Sequence, residues 1–293
     1  VLDFNIGTAA QLAAQLEGVR SGREWRCRCP SHHGHSLSIT EGRSGKLIFR
    51  CWGADCAFED IVAALREEQI DIPSCRIAPA MTQEDDPQRR IDRAWSLYRS
   101  AVSARDTIAE TNLRSRGITL PVPEVLRFLP YAPHRDQRCY PAMIAPVVNV
   151  VGDPIGVHMT YLAPDGYGKY PFTDPAMQRE CRGVLRGGAV RLAPYDPLRE
   201  LIIGEGIESA LSAMRMFGRP AWAALSTSGL TALELPSDIR HVAIAVDRDL
   251  NGAGQKAALI AYERWIAEGR KVDLLLPSNP GFDFNDELRA RTT

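Results

Sequence analysis

From Leu201 onward, short apolar runs alternate with longer stretches in which apolar residues recur every three or four positions. "LIIG", "AWAAL", "HVAIAV" and "VDLLLP" read as strands, and "ESALSAMRMF" and "AGQKAALIAYERWIAE" as helices. The run Val242 to Val246 is apolar at every position, as a strand covered on both faces requires, so the pattern predicts a mostly parallel α/β sheet over 200–293. Before it, 89–199 reads as α+β. Two helical stretches occupy Arg89 to Arg116, with Ile91, Ala94, Trp95, Tyr98 and Val102 on one stripe, and "YPAMIAPVVNVVGDPIGVHMTYLA" alternates around a hairpin turn at Gly152-Asp153. Residues 1–75 read as a small separate module. In it "TAAQLAAQLEGV" opens with a Thr8 cap and sets Leu12, Leu16 and Val19 on one helical face, strands "LSIT" and "KLIFR" flank "EGRSG", and a helix closes. The polar, unpatterned segment 76–88 is the expected linker.

Composition narrows the chemistry. No run approaches the ~18 apolar residues of a membrane span and no signal pattern opens the chain, which predicts a cytoplasmic protein without a membrane partner. Of seven cysteines, Cys27, Cys29, Cys51 and Cys56 fall within thirty residues beside His32, His33 and His35. In such a chain that clustering favours metal over disulfides. "CPSH" offers Cys29 and His32, "CWGADC" offers Cys51 and Cys56, and a hairpin separates the pairs, a workable zinc-ribbon arrangement. Cys29 is preferred to Cys27 because it forms the proline-turn pair with His32; Cys27, His33 and His35 stay within reach. Net charge is −1, yet Arg20 to Arg50 holds seven basic residues against two acidic ones, enough to attract a polyanion.

Carboxylates recur at the predicted strand tips. Gly204-Glu205-Gly206 ends one strand, Asp247-Arg248-Asp249 ends another, and "GFDFNDEL" follows the last with Asp283, Asn285 and Asp286. One such tip reads as a helix cap. Three on one sheet edge read as a site for a divalent ion, which needs several hard oxygen ligands from separate loops.

These motifs, in this order, resemble the TOPRIM domain of primases and topoisomerases. "CPxH … CxxxxC" resembles the zinc-binding domain of DnaG-type DNA primases of bacteria, phages and plasmids. "NLRSRGIT", "RCYPAMIAPVVNVVGDPIGVHMTYLAPDGYGKY" and "RGGAVRL" look like the basic subdomain of the primase core. The chain departs from that pattern in the four residues between Cys51 and Cys56, in Ser209 where many relatives are acidic, with Glu208 beside it as a substitute, and in "DFND", which is closer to phage primase-helicases.

The resemblance implies a nucleotidyltransferase, a DNA primase making short RNA on single-stranded DNA from ribonucleoside triphosphates. Its expected ions are structural Zn²⁺ on Cys29, His32, Cys51 and Cys56, and catalytic Mg²⁺ or Mn²⁺ on Glu205, Asp247 and Asp249. Glu205 serves as ligand or proton acceptor and Asp283 as an accessory carboxylate, with Asp286 and Glu208 weaker candidates. Arg116, Arg138 and Lys169 match positions that meet nucleotide or template phosphate, Arg114 being a poorer match than Arg116. The zinc module would touch the template, with Trp25 and Trp52 for base stacking. No "GxxxxGK[ST]" loop occurs, so any helicase partner is expected on a separate chain. A TOPRIM nuclease and a non-catalytic single-stranded-DNA-binding protein are the alternatives.

Overall fold

The computed structural model describes residues 9–22, 24–41, 47–53, 56–70, 77–79, 86–248 and 252–292. The chain forms two units, residues 1–86 and 87–293.

In the first unit, α1 (Ala9–Gln15) precedes β1 (Val19–Ser21), β2 (Glu24–Cys27), β3 (Leu37–Glu41), β4 (Leu47–Cys51), α2 (Phe58–Glu67) and β5 (Ile77–Pro79). The strands make one sheet in chain order, antiparallel except for the parallel β4–β5 pair. Alternation along β4 turns Leu47, Phe49 and Cys51 inward, against Leu12, Leu16, Ile39, Ile61 and Leu65. The expected helical face stops at Leu16. The helix ends at Gln15 and the chain turns through Glu17 at φ 54°, so Val19 opens β1 and stands 71% exposed. Gly18 is needed at that turn, because a Cβ there would lie 2.6 Å from Cys27 Sγ. Thr8, the expected cap, lies outside the described residues.

The second unit begins with α3 (Pro87–Ser100), β6 (Val102–Ser103), α4 (Ile108–Ser115), β7 (Arg127–Pro133), β8 (Cys139–Val148), β9 (Pro154–Tyr161) and β10 (Arg179–Gly183). These strands form an antiparallel sheet in the order β10-β9-β8-β7-β6. Val102 leaves the expected stripe: α3 ends at Ser100, and Val102 pairs with Phe128 at the sheet edge, 55% exposed.

Next come β11 (Val190–Arg191), β12 (Leu201–Gly204), α5 (Ile207–Phe217), β13 (Ala221–Ala223), α6 (Thr227–Ala232), β14 (His241–Ala245), α7 (Ala253–Ala267), β15 (Lys271–Leu275) and α8 (Phe284–Thr292). The strand order is β11-β13-β12-β14-β15, parallel except for β11. Successive strand residues face opposite sides. Ile202, Ala243 and Ala245 pack with α5 and α8, while Leu201, Ile203, Val242 and Ile244 pack with α6 and α7. This is the expected mostly parallel sheet flanked by helices. Two helices were not anticipated: α6, six residues with weak periodicity, and α8, which the sequence suggested as an acidic loop.

Candidate functional site

In the first unit Cys29, His32, Cys51 and Cys56 bring one ligand atom each to within 4.8 Å of one another. Cys29 Sγ to Cys56 Sγ is 4.0 Å and His32 Nδ1 to Cys56 Sγ is 3.2 Å. Zinc–sulfur bonds of about 2.3 Å in a tetrahedron place sulfurs about 3.8 Å apart, so a Cys₃His zinc set fits. Burial pushes the Cys29 thiol up to about 11, opposed by backbone amides at Ser31 and His32; metal binding would displace that proton. The nearby alternatives are engaged elsewhere. Cys27 packs behind Gly18, His33 faces Arg28 at 3.4 Å, and His35 pairs with Glu17 at 3.7 Å.

The two tryptophans of this unit part company. Trp25 is half-buried against the core, whereas Trp52 is 51% exposed. Its indole donates to Ser38 Oγ at 3.1 Å, and the Arg50 guanidinium lies 4.0 Å from the ring centre with Arg26 at 5.3 Å. Arg28 is instead matched by a two-pronged pair with Glu68, both bonds 2.8 Å. Arg23, Arg43 and Lys46 lie outside the described residues.

In the second unit, register places the strand tips side by side. Gly204 pairs with Ala245 on adjacent parallel strands, so Glu205 and Asp247 emerge at one carboxyl edge, where ligands bind in open α/β sheets. Both are half-buried. Three close approaches set this edge. Glu205 O accepts from Leu225 N at 2.6 Å, and the start of α7 presses so tightly on Asp247 that a Cβ on Gly254 would lie 2.6 Å from Asp247 O. Arg248 ties the 277–283 loop to the same tip through Phe282 O (3.0 Å to Arg248 N) and Pro277 O (2.9 Å to its guanidinium). Hard carboxylate donors at such an edge suit Mg²⁺ or Mn²⁺. Asp249, the third expected ligand, lies outside the described residues.

Asp283 opens α8. Its Oδ1 accepts from Asp286 N at 2.8 Å and Asp286 Oδ2 accepts from Asp283 N at 3.3 Å, a reciprocal cap. Asn285 is buried, accepting from Arg116 at 3.2 Å and donating to Arg116 O and Ser212 Oγ at 2.9 and 3.0 Å. Lys169 and Arg116 converge on Glu208, in the first turn of α5, at 3.3 and 4.0 Å. Burial raises the Glu208 carboxyl, but Lys169, Arg116 and Arg179 outweigh it and hold it down to about 2. Burial pulls the Lys169 ammonium below its usual value, against the opposing pull of Glu208. Nearby His158 is wholly buried and pushed down to about 4, chiefly by desolvation, so it is a neutral imidazole. Arg138 stands apart, in the turn before β8, with its amide on Asp136 Oδ1 at 2.9 Å.

Residues 200–293, which carry the whole parallel-strand edge, match a Toprim domain family. They form a Toprim domain. Residues 88–192, which supply Arg116 and Lys169 to the Toprim domain's Glu208, match a domain of unknown function, DUF7146. No curated protein matches the sequence. Solved primases are similar to it at low identity. The Aquifex aeolicus primase, zinc-binding and RNA polymerase domains, has 16% identity over 97% of this chain and 80% of that one, with a TM-score of 0.43. A DnaG catalytic core has 16% identity over 70% of this chain and 76% of its own, TM-score 0.44. The primase fragment of the bacteriophage T7 primase-helicase has 15% identity over 66% and 69%, TM-score 0.40.

One cluster in the Toprim domain escaped sequence reasoning. Glu200, His241 and Asp273 bring ligand atoms within 4.8 Å at the amino edge of the parallel strands, the end opposite Glu205 and Asp247. His241 Nε2 is 2.7 Å from Glu200 and 2.8 Å from Asp273, while Arg219 pairs with Glu200 and Lys271 with Asp273. Its donors suit a divalent ion, although the carboxylates already have cationic partners. The only signal in the sequence was a polar residue at or near the start of three neighbouring strands, which register alone brings together.

Proposed function

We propose that the protein is a DNA primase that makes short RNA primers on single-stranded DNA by metal-dependent nucleotidyl transfer. The carrying observation is the single edge of the Toprim domain at which Glu205 and Asp247 emerge beside Glu208, Lys169 and Arg116. The Cys₃His module ahead of it and the order of the motifs favour a DnaG-type primase over other Toprim enzymes. In this reading 1–75 is the zinc-binding domain, 89–199 the basic subdomain and 200–293 the Toprim domain, and the 76–88 linker is not wholly unstructured, since Ile77–Pro79 adds β5 to the first unit's sheet and α3 begins at Pro87.

Glu205, Asp247 and Asp249 would hold Mg²⁺ or Mn²⁺, which when bound offsets the negative charge that develops on the α-phosphate. Glu205, on the tip adjacent to Asp247, serves either as that ligand or as the acceptor of the primer 3′-hydroxyl proton. Lys169 and Arg116 hold the triphosphate, and Arg138 meets the template backbone. Asp283 supports the edge as an accessory carboxylate. Trp52, flanked by Arg26 and Arg50, stacks on a template base while the guanidiniums meet phosphate. The chain is assigned to the cytoplasm, with a replicative helicase as its candidate partner.

The test incubates the protein with single-stranded DNA, labelled ribonucleoside triphosphates and Mg²⁺ or Mn²⁺, beside Asp247→Ala. Short RNA from the unsubstituted protein alone supports the proposal. Metal-dependent DNA cleavage instead identifies a Toprim nuclease, and DNA binding without either product identifies a non-catalytic role.

A further inference from the structure

We infer that Glu208 is a positioning residue: its buried carboxylate fixes Lys169 and Arg116 for the triphosphate of an incoming nucleotide, and it is not a ligand of the divalent ion. The inference rests on the primase reading for the identity of the nucleotide, but not for the anion chemistry.

Three observations carry it. Glu208 is 7% exposed and its partners come from elsewhere in the chain, Lys169 at 3.3 Å and Arg116 at 4.0 Å. Two cations this close set a positive potential around the carboxylate, which opposes a divalent cation there. Glu208 therefore does not substitute for the acidic residue that Ser209 lacks.

Both cations are held from behind. Arg116 is gripped by Asn285, which Ser212 orients in turn. Lys169 follows a loop pinned on α4, where a Cβ on Gly166 (φ +78°) would lie 2.9 Å from Thr111 Cβ, and Lys169 itself bridges to Leu162. Side chains so restrained lose little freedom on meeting a ligand.

The charges are also unequal. Two cations face one carboxylate in the contact set, and the Arg116 side chain stays 25% exposed. A phosphate meeting the exposed part of that guanidinium gains charge-assisted hydrogen bonds and offsets the excess positive charge of the pair.

The sign of one measurement separates positioning from simple charge balance. Binding of inorganic tripolyphosphate without divalent metal is measured by titration calorimetry for the full chain, Glu208→Gln and Glu208→Asp. Removing a negative charge by itself tightens anion binding, whereas losing the group that aims Lys169 and Arg116 weakens it. Glu208→Gln is expected to weaken binding by about tenfold, with Glu208→Asp recovering part of the loss. In primer synthesis the same substitution should raise KM for the nucleotide and leave the Mg²⁺ half-saturation unchanged. Equal or tighter tripolyphosphate binding in Glu208→Gln overturns the inference, as does a shifted Mg²⁺ requirement at constant nucleotide KM. If Glu208→Gln does not fold, Glu208→Asp decides alone, since its retained charge with shortened reach must still weaken binding. A protein that makes no RNA, yet loses tripolyphosphate affinity on substitution, refutes the primase reading and leaves the positioning role standing.

Discussion

The Cys₃His module and the Toprim domain solve the same folding problem with different materials. The Toprim sheet is covered on both faces by helices, and its central strands are almost wholly apolar, with Ile202, Ile203, Ala243 and Ile244 fully buried. The first unit has one modest cluster under a sheet of short strands, and its buried residues include Cys27, Cys29 and Cys51. Small domains bury a smaller share of their surface on folding and are correspondingly marginal. Where apolar burial is scarce, a metal can join distant turns, and the buried thiols of this core are placed to serve folding in that way.

The largest test of this contrast is metal removal. Chelation, or Cys51→Ser, should unfold the first unit and leave the second intact, since zinc binding to small modules contributes on the order of 10 kcal/mol. Limited proteolysis would then digest residues 1–86 and spare a fragment near 87–293; equal resistance of both units would break the comparison.

Acid should act on the second unit through a different group. Buried neutral His158 has its pKa lowered from 6.5 to about 4. In that window the unfolded chain binds a proton that the folded one does not, so stability is complete above 6.5 and falls as pH drops towards 4. The loss amounts to roughly 3 kcal/mol, and His158→Gln should flatten the profile of melting temperature against pH. An unchanged slope in that variant would assign the acid sensitivity elsewhere.

Packing at the strand tip is the next in size. Gly254→Ala drives a Cβ onto Asp247 O, and should cost about 1–3 kcal/mol in thermal unfolding while lowering metal-dependent activity by a larger factor. Gly252→Ala, with no atom of the described residues near its Cβ but a φ of +73°, should cost about 1 kcal/mol and leave activity nearly intact. Asp283→Ala gives the smallest effect, about 1 kcal/mol from the lost cap of α8, and Asp283→Asn should restore the stability. If Asp283→Asn melts normally but loses activity, Asp283 serves the reaction as well as the cap.

The legible parts of the molecule were those whose chemistry is local. Cys29-x-x-His32 and Cys51-x₄-Cys56 each sit on one turn, and Glu205 and Asp247 each end an apolar run, so spacing alone flagged them. Trp25 and Trp52 were indistinguishable by type. Their neighbours in the fold packed one against the core and left the other under Arg50. Glu208 read as a spare acid because nothing local reveals that Lys169 and Arg116 will meet it.

The sequence by itself determined the periodicities, hence the order of strands and helices, and the kinds of donor offered at each turn, because backbone geometry repeats every two or 3.6 residues regardless of distant context. Only the tertiary structure decided which of those donors converge. Arg116 and Asn285 are 169 positions apart, and Glu200, His241 and Asp273 share a cluster only because β12, β14 and β15 pair in one register. Such contacts follow from how whole faces pack and which strands become neighbours, a choice made by burial over the entire domain and written in no short stretch of chain.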